Sequence, residues 1–484
     1  MSLYRKSGAE LSEMLRRKEC SSVEICRSVL QRIELIENET NAYITVCDDI
    51  LNQAEKVDKK LSAGEELHPL AGIPIGLKDN ISTNGIRTTC ASKMLKDYIP
   101  PYDAYVTAKL KSAGMIITGK LNMDEFAMGS STENSFFGKT LNPHNKDFVS
   151  GGSSGGCAAA VVSGEAVMSL GSDTGGSVRQ PSAFCGAVGL KPTYGSVSRY
   201  GLIAFASSLD QIGPICRDVR DTAMLYSLIC GHDKMDATSA FREYTDFGSK
   251  LYCNVRGLRI GVPCEYFGGE IKDEVKESVM QAIDLLRKHG AEVKSISLPS
   301  TKYAVNAYYI ISSAEASSNL ARYDGVRFGY RSAEYESLSD MYTKTRSEGF
   351  GIEVKRRIML GTFVLCSGYY DEYYQKAIDI RNVIRNEFSQ CFTECDVIIT
   401  PAYPSTAFRS YECKSSITKL YEKDFCTVPA NLAGIPAITI PCGYSSEGLP
   451  VGMQIMGNYF YEELLFNTAY AYETLSGGLK NERI

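Results

Sequence analysis

The sequence offers few of the residues that build a metal site. It has sixteen cysteines but no Cys-x-x-Cys pair. It has only four histidines (His68, His144, His232 and His289), and none lies beside a cluster of cysteines. Protein zinc sites draw their ligands from clustered Cys and His side chains. The pattern therefore gives little support to a zinc site, and we expect no metal in this chain.

Long apolar segments are also missing. The N-terminal stretch MSLYRKSGAELSEML lacks the hydrophobic region of a secretory signal peptide. The longest apolar stretch, CAAAVVSGEAVMSLG, contains Glu165 and is too short to cross a bilayer. We therefore expect a cytoplasmic protein of bacterial type, without a targeting segment, whose thiols stay reduced. Most of its cysteines are then expected to be small, buried apolar side chains.

The overall charge excludes a general affinity for polyanions. The 484 residues are 44% hydrophobic and 23% charged, which suits a globular chain with an ample core. The formal net charge is −5 at neutral pH. Any RNA would therefore have to be held by a local basic patch or by a partner protein.

Short apolar runs punctuated by Gly and Pro alternate with helical segments from Pro69 onward. Such runs are typical of buried strands that enter loops, and they are PLAGIPIGLKDN, GMIITGKLN, GAVGLKPT, LRIGVPCEY, DVIITPAYP and PAITIPCG. Between them, DEVKESVMQAIDLLRKHG predicts a helix that ends before Gly290. SSVE at 21–24 is a capping box, and the first sixty residues predict helices. We expect an α/β fold, with a large mixed, mostly parallel central sheet covered by helices on both faces.

Two runs rich in glycine and serine stand out, at 147–156 (DFVSGGSSGG) and 171–182 (GSDTGGSVRQPS). Each carries two glycines at the spacing of a phosphate-binding loop. Such a loop continues with Lys and then Ser or Thr, whereas these runs continue with Cys157-Ala158 and Ser177-Val178. Neither run is therefore expected to bind nucleotide, and the apolar CAAAVVSG after the first argues against a flexible linker.

A nucleophilic serine explains the second run better. A serine preceded by glycines can project its hydroxyl from a tight turn while backbone N–H groups converge on one point, as in an oxyanion hole. Such a serine needs a base, and no histidine lies in either run, which disfavours a Ser-His-Asp triad. Lys78 follows an apolar strand, and burial would lower its pKa from about 10.4. From the residues alone, an ion pair of Lys78 with Asp79 or another carboxylate explains this lysine equally well.

The stretches IPIGLKDN, GGSSGG and GSDTGGSVRQP, in this order, resemble the amidase signature family over essentially the whole chain. The resemblance implies the amidase signature fold and a Ser–cis-Ser–Lys triad. In that triad Ser177 is the nucleophile, Ser153 is the bridging serine in a cis peptide, and Lys78 is the general base. Backbone N–H groups would form the oxyanion hole, namely those of Thr174, Gly175 and Gly176.

Within that family, four further stretches resemble the glutaminase subunits of tRNA-dependent amidotransferases, namely 122–138, 312–331, 353–374 and 425–443. The resemblance implies that glutamine is hydrolysed through a γ-glutamyl ester on Ser177. The ammonia would pass to a partner within a heterotrimer that also contains subunits B and C. That partner would hold the misacylated tRNA and use ATP and Mg²⁺ to amidate Glu-tRNA(Gln), Asp-tRNA(Asn) or both. No cofactor is expected in this chain itself.

Binding a free amino acid requires a cation for its carboxylate and an anion for its ammonium group. By resemblance, Arg357 would bind the α-carboxylate of glutamine, Asp424 would bind the α-ammonium, and Tyr308 would close over the substrate. From the residues alone, Arg357 and Asp424 are also compatible with the protein surface. The competing function is a free-standing amidase of small or fatty amides, active without partners.

We expect a single amidase domain over residues 1–484. Residues 1–65 would form an N-terminal helical segment, 66–230 the catalytic core, and 300–375 a helical, tyrosine-rich insertion at the substrate cleft. The mixture of tyrosine and charge in this insertion is compatible with stacking on nucleotides. The interleaved acidic residues favour amphipathic helices with tyrosines at the cleft rim. We expect the polar stretch 231–250 to be a surface connection.

Overall fold

A computed structural model describes residues 2–410 and 421–478. Fourteen α-helices lie in these ranges, in addition to short 3-10 and π turns. In chain order they are α1 (Gly8–Arg16), α2 (Ser22–Thr40), α3 (Ile50–Ser62), α4 (Tyr105–Ser112), α5 (Gly155–Ser163), α6 (Arg179–Cys185), α7 (Val219–Ile229), α8 (Asp273–Lys288), α9 (Ala304–Asn319), α10 (Leu338–Gly349), α11 (Ile352–Val364), α12 (Lys376–Glu394), α13 (Val428–Ala433) and α14 (Glu462–Leu475). None of these described helices has the length and hydropathy needed to cross a bilayer.

The strands form one eleven-stranded sheet and one small two-stranded sheet. Their bounds are β1 (Tyr43–Val46), β2 (Pro74–Lys78), β3 (Ile116–Leu121), β4 (Leu141–Asn142), β5 (Asn145–Val149), β6 (Met168–Asp173), β7 (Val188–Lys191), β8 (Gln211–Cys216), β9 (Arg259–Pro263), β10 (Glu292–Ile296), β11 (Val397–Pro401), β12 (Ala437–Tyr444) and β13 (Pro450–Gly457). The order in the large sheet is β1-β3-β2-β6-β8-β7-β12-β13-β11-β9-β10, and β4 pairs with β5.

The large sheet is mixed, as predicted, but it is not mostly parallel. Strand β2 pairs parallel with β3 and β6, and β9 pairs parallel with β10 and β11. The other six neighbouring pairs are antiparallel. The expectation was wrong because a strand buried on both faces is a continuous apolar run whichever way it points. The composition of such a run therefore carries no information about its direction.

Helices cover both faces of this sheet, which confirms that prediction. Successive side chains of a strand point to opposite faces. In β11, Val397 and Ile399 belong to one hydrophobic cluster and Ile398 belongs to another. Helices α2, α7, α8 and α14 contribute apolar residues to the first cluster, whereas α9 and α12 contribute to the second. The central strands, such as β2 and β6, are therefore enclosed on both faces, whereas the edge strands β1 and β10 are partly exposed. The ends of the central strands can support a buried site.

Several local predictions are confirmed. The capping box at the start of α2 is present, because Ser21 accepts from the Glu24 N–H and the Glu24 side chain accepts from the Ser21 N–H. Gly290 follows α8 with a φ of 103°, a conformation that favours glycine. The first sixty residues are not all helical, however, since β1 extends the sheet beside β3. Residues 231–250 form neither helix nor strand, and the division of the chain into segments stays a prediction.

The central strands should dominate the stability of this fold. Ile455 in β13 is fully buried, whereas Ile352 at the start of α11 is 69% exposed. We expect Ile455→Ala to lower the free energy of unfolding by roughly 2–5 kcal/mol, because it leaves a cavity in a close-packed core. Ile352→Ala is the matched control and should change it by less than about 0.5 kcal/mol. Equal losses in urea unfolding experiments would contradict this account of the core.

Candidate active site

The candidate site lies where two parallel strands end side by side. Strands β2 and β6 are parallel neighbours, with Leu77 opposite Leu170 in the register. Lys78 ends β2, while Ser172 and Asp173 end β6. The carboxyl ends of parallel strands meet at one edge of a sheet, which is a common location for binding sites in α/β folds. The two glycine-rich runs pack over this edge.

Lys78 is completely buried at that edge. Its Nζ donates to Ser153 Oγ at 2.7 Å, to Ser172 Oγ at 2.9 Å and to the Ser172 carbonyl at 3.2 Å. It forms no ion pair with Asp79, whose Oδ2 instead accepts from Thr89 and Ala91. Burial lowers the pKa of Lys78 to about 8. The ion-pair alternative is therefore wrong, and the amine can exist in its neutral form near neutral pH.

Ser153 is held by a loop in which only glycine fits at the preceding position. The Gly152–Ser153 peptide bond is cis, as the resemblance implied. The Ser153 carbonyl accepts from the Asp124 N–H at 3.2 Å, and the Asp124 carboxylate in turn accepts from the N–H groups of Thr132 and Asn134. A Cβ at Gly152 would lie 2.1 Å from Asp124 Oδ2. Asp124 therefore fixes the loop that brings Ser153 to Lys78.

Ser177 joins the second run to the first. Its carbonyl accepts from the Ser154 N–H at 3.1 Å, so the two runs are in direct contact. The residue is 8% exposed and lines a narrow cavity. Its Oγ has no hydrogen-bond partner in the described part of the chain. The hydroxyl is thus positioned at this cavity.

A buried ion pair supports the turn that carries Ser177. Arg179 donates from Nε to Asp173 Oδ2 and from Nη2 to Oδ1, both at 3.0 Å, and neither side chain is exposed. The Asp173 carboxylate also accepts from the N–H groups of Gly176 and Val178. Although burial opposes ionisation, Arg179 holds the pKa of Asp173 well below its usual range. The carboxylate therefore ties the turn to the start of α6, where a negative charge is favoured.

The predicted oxyanion hole needs one correction. The N–H of Gly176 donates to Asp173 Oδ1 at 2.9 Å and is not free to bind an oxyanion. The N–H groups of Thr174, Gly175 and Ser177 have no acceptor among the residues that the structure describes. The sequence did contain a signal for this difference, because an Asp side chain commonly accepts from backbone N–H groups a few residues further on.

The cavity beside Ser177 also contains the three predicted binding residues, Tyr308, Arg357 and Asp424. Tyr308 lies in α9, and its ring contacts Gly175. A Cβ at Gly175 would come within 2.6 Å of that ring. The absence of a side chain at 175 therefore lets the tyrosine approach the backbone of the Ser177 turn. These residues come from distant parts of the chain and meet only in the folded protein.

Arg357 lies on α11 and is only 3% exposed. Its Nε donates to Glu353 Oε1 at 2.7 Å, while its Nη1 has no partner among the described residues. The guanidinium carbon is 4.4 Å from the ring centroid of Tyr309 and 4.9 Å from that of Tyr421. A buried guanidinium edge without an acceptor is costly. Nη1 is therefore a donor that no described residue uses, on a side chain that lines the cavity.

Asp424 supplies the opposite charge. It lies in a 3-10 turn (Lys423–Cys426) and accepts from the Tyr309 hydroxyl at 2.8 Å, with Ser130 Oγ at 3.5 Å. Burial raises the pKa of Asp424 to about 7. Tyr309 and Ser130 were not predicted as site residues. No spacing in the sequence would have revealed them, because their partners lie more than a hundred positions away.

Comparison with known proteins identifies the family of this chain. The sequence model of the Amidase family matches residues 24–466, and the chain belongs to this family. Its fold also resembles that of a native peptide amidase from Stenotrophomonas maltophilia, with a TM-score of 0.83 and 28% identity. The alignment covers 98% of each chain. The resemblance drawn from the sequence motifs is thus confirmed.

Other relatives are more similar in sequence. The A subunit of glutamyl-tRNA(Gln) amidotransferase from Heliobacterium modesticaldum is 54% identical over 478 residues, which is 99% of this chain and 98% of the relative. The protein of the same name from Halothermothrix orenii is 56% identical over 473 residues, 98% of each. The crystal structure of the protein of this name from Thermotoga maritima has a TM-score of 0.82 and 44% identity, covering 97% of this chain and 95% of that chain.

The buried ion pair should stabilise the Ser177 turn. We expect Arg179→Ala to lower the free energy of unfolding by roughly 3–5 kcal/mol, because it leaves the Asp173 carboxylate buried without its counter-ion. Arg287→Ala is the control, since the ion pair of Arg287 with Asp284 is exposed and should contribute far less. Urea unfolding of both variants tests this. A loss for Arg179→Ala no greater than that for Arg287→Ala would contradict the assigned role.

Proposed function

We propose that the chain is the glutamine-hydrolysing component of a tRNA-dependent amidotransferase that acts on Glu-tRNA(Gln), Asp-tRNA(Asn) or both. The observation that carries the proposal is the hydrogen bond between buried Lys78 and Ser153 beside the cavity of Ser177. The names of the relatives that are more than half identical over the full length support this function. They favour it over a free-standing amidase.

The first chemical step forms an ester on Ser177. Neutral Lys78 takes a proton from Ser153 Oγ as Ser153 takes one from Ser177 Oγ. The Ser177 oxygen attacks the side-chain amide carbon of glutamine. The tetrahedral oxyanion is stabilised by the backbone N–H groups of Thr174 and Gly175, which face no competing acceptor among the described residues. The proton from Ser177 is now stored on Lys78.

The second step releases ammonia and then glutamate. As the tetrahedral intermediate collapses, its C–N bond breaks and the proton stored on Lys78 returns through Ser153 to the leaving nitrogen. Ammonia departs and leaves a γ-glutamyl ester on Ser177. A water molecule attacks this ester, with Lys78 again accepting a proton through Ser153. Glutamate leaves, and Ser177 regains its hydroxyl proton.

The charges in the cavity select the substrate. The free Nη1 edge of Arg357 would bind the α-carboxylate of glutamine, and Asp424 would bind the α-ammonium. Tyr308, packed on Gly175, would close over the side chain that carries the amide. A small or fatty neutral amide would leave both charges buried without a ligand partner, which is unfavourable. The buried pair therefore favours an amino acid amide over the substrates of the alternative function.

The ammonia must reach its acceptor without protonation in bulk water. We therefore expect a closed passage into the partner, within a heterotrimer that also contains subunits B and C, in the cytoplasm. The partner would hold the misacylated tRNA and activate its carboxylate with ATP and Mg²⁺. This chain itself would need no cofactor. Its net charge of −5 agrees with a tRNA held mainly by the partner.

The proposed function can be tested with the purified complex and its Ser177→Ala variant. We expect the wild type to hydrolyse glutamine and to amidate misacylated tRNA with glutamine or with supplied ammonia. Ser177→Ala should lose only the glutamine-dependent reactions, because it lacks the nucleophile. Ser339→Ala, on the exposed surface of α10, is the control. Mass spectrometry of the trapped acyl-enzyme should locate the γ-glutamyl group on Ser177. A γ-glutamyl group on any other residue would contradict the assignment.

The role of Lys78 predicts a specific pH dependence. Because burial lowers the pKa of Lys78 to about 8, the amine is protonated below that pH and cannot accept a proton. We expect kcat/KM for glutamine to level off above about pH 8 and to fall about tenfold per pH unit between about pH 8 and pH 7. Below about pH 7 it should fall more steeply, because Asp424 also gains a proton there. Lys78→Ala should abolish glutaminase activity while ammonia-dependent amidation persists. A variant retaining a tenth of the wild-type rate, or a flat pH profile, would contradict the role.

A further inference from the structure

Glu353 is a buried carboxylate that the proposed mechanism does not use. It lies one helical turn before Arg357 on α11 and is 6% exposed. Its Oε1 accepts from Arg357 Nε at 2.7 Å and from the Tyr421 hydroxyl, and its Oε2 accepts from Arg356. A buried carboxylate with three charged or hydroxyl donors is fixed in place. Its partner Arg357 lines the cavity.

The contact with Glu353 holds the guanidinium of Arg357, a residue that lines the cavity. A guanidinium is a rigid planar fork of five N–H donors. With Nε committed to Glu353, the plane of the fork is set, and Nη1 is left without a partner among the described residues. Glu353 therefore orients the group that would bind the substrate carboxylate.

Glu353 is also connected to the opposite charge in the cavity. Tyr421, which donates to Glu353, lies three residues before Asp424 and stacks on Tyr309 with 4.1 Å between ring centroids. The Tyr309 hydroxyl donates to Asp424 Oδ2 at 2.8 Å. A continuous chain of contacts thus runs from Arg357 through Glu353, Tyr421 and Tyr309 to Asp424. It joins α11 to the segment 421–426, which is distant in sequence.

Glu353 is ionised in this environment. Although burial alone would raise it, Arg357 and Tyr421 hold the pKa of Glu353 below its ordinary value. The carboxylate therefore keeps its charge at neutral pH, and both of its oxygens act only as acceptors.

We infer that Glu353 is a positioning residue that sets the spacing between the Arg357 guanidinium and the Asp424 carboxylate. It thereby determines the preference for an amide that carries both an α-carboxylate and an α-ammonium group. The inference rests on the proposed function, because it takes glutamine as the substrate. Glu353 acts through Arg357 and Tyr421 and does not contact the reacting amide. Its loss should therefore weaken glutamine binding while leaving the chemical step at Ser177 largely intact.

The test uses the whole amidotransferase complex and measures KM and kcat for glutamine separately. We expect Glu353→Gln to raise KM about tenfold or more, the effect of losing one charge-assisted contact, with kcat within about threefold of the wild type. Arg357→Ala gives the upper limit of the KM effect. Glu334→Gln, exposed between α9 and α10, is the matched control and should leave both constants unchanged. A KM for Glu353→Gln within about twofold of the wild type, or a loss confined to kcat, would overturn the inference.

Two further variants distinguish an effect of the carboxylate position from an effect of lost charge and from a failure to fold. Glu353→Asp keeps the charge but withdraws the carboxylate by one methylene, so we expect KM to stay raised. Full recovery of the wild-type KM would show that charge alone matters and would overturn the inference. Tyr421→Phe removes a single hydroxyl, so it tests the same chain of contacts should Glu353→Gln fail to fold. We expect it to raise KM at least about threefold, and an unchanged KM would also overturn the inference.

Failure of the proposed function would give a different result from failure of the positioning role of Glu353. A wild-type complex that hydrolyses no glutamine, yet still amidates tRNA with ammonia, would contradict the assigned substrate. A fully active wild-type complex with unaffected Glu353 and Tyr421 variants would contradict only the positioning role.

Discussion

The site depends on the burial of an amine without a carboxylate partner. An ammonium group in the position of Lys78 would lose its hydration with only hydroxyl and carbonyl dipoles in return. Two carboxylates whose charges act on Lys78 are held by other donors, Asp173 by Arg179 and Asp124 by the N–H groups of Thr132 and Asn134. The pKa of Lys78 is thereby lowered to about 8, so a residue that is normally a cation is neutral in part near neutral pH and becomes available as a base. The hydrogen bond to Ser153 places that base against the Ser153 hydroxyl.

The groups proposed to react and the groups proposed to bind the substrate lie on different elements of the fold. The groups proposed to react lie at the ends of β2 and β6 and in the two runs packed over them, where the backbone is enclosed by helices. The charged groups proposed to recognise glutamine come from α9, α11 and the segment 421–426. Aromatic stacking and Glu353 join these later elements to one another. In the proposed function, the edge of the sheet would carry the chemistry, and α9, α11 and the segment 421–426 would carry the specificity.

Sequence reasoning located the strands well but not their directions. The apolar runs around Leu77 and Ile398 indicated buried strands, because Gly and Pro mark their ends, yet burial on both faces hides the orientation of each strand. The residues alone left Lys78 undecided between an ion pair and a base, and only the folded structure showed where the Asp79 carboxylate points. The commitment of the Gly176 N–H to Asp173 and the burial of Arg357 depend on tertiary contacts. These contacts have no regular spacing in the sequence.

Asp424 gives the cavity a sensitivity to acid. Since burial raises the pKa of this carboxyl to about 7, it is partly protonated in a neutral solution. An ammonium group placed against it favours the ionised form, so capture of glutamine would expel a proton into the medium. Acidification opposes that expulsion. In the proposed function, the enzyme would therefore bind its nitrogen donor less tightly as the surrounding pH falls, in addition to any effect on Lys78.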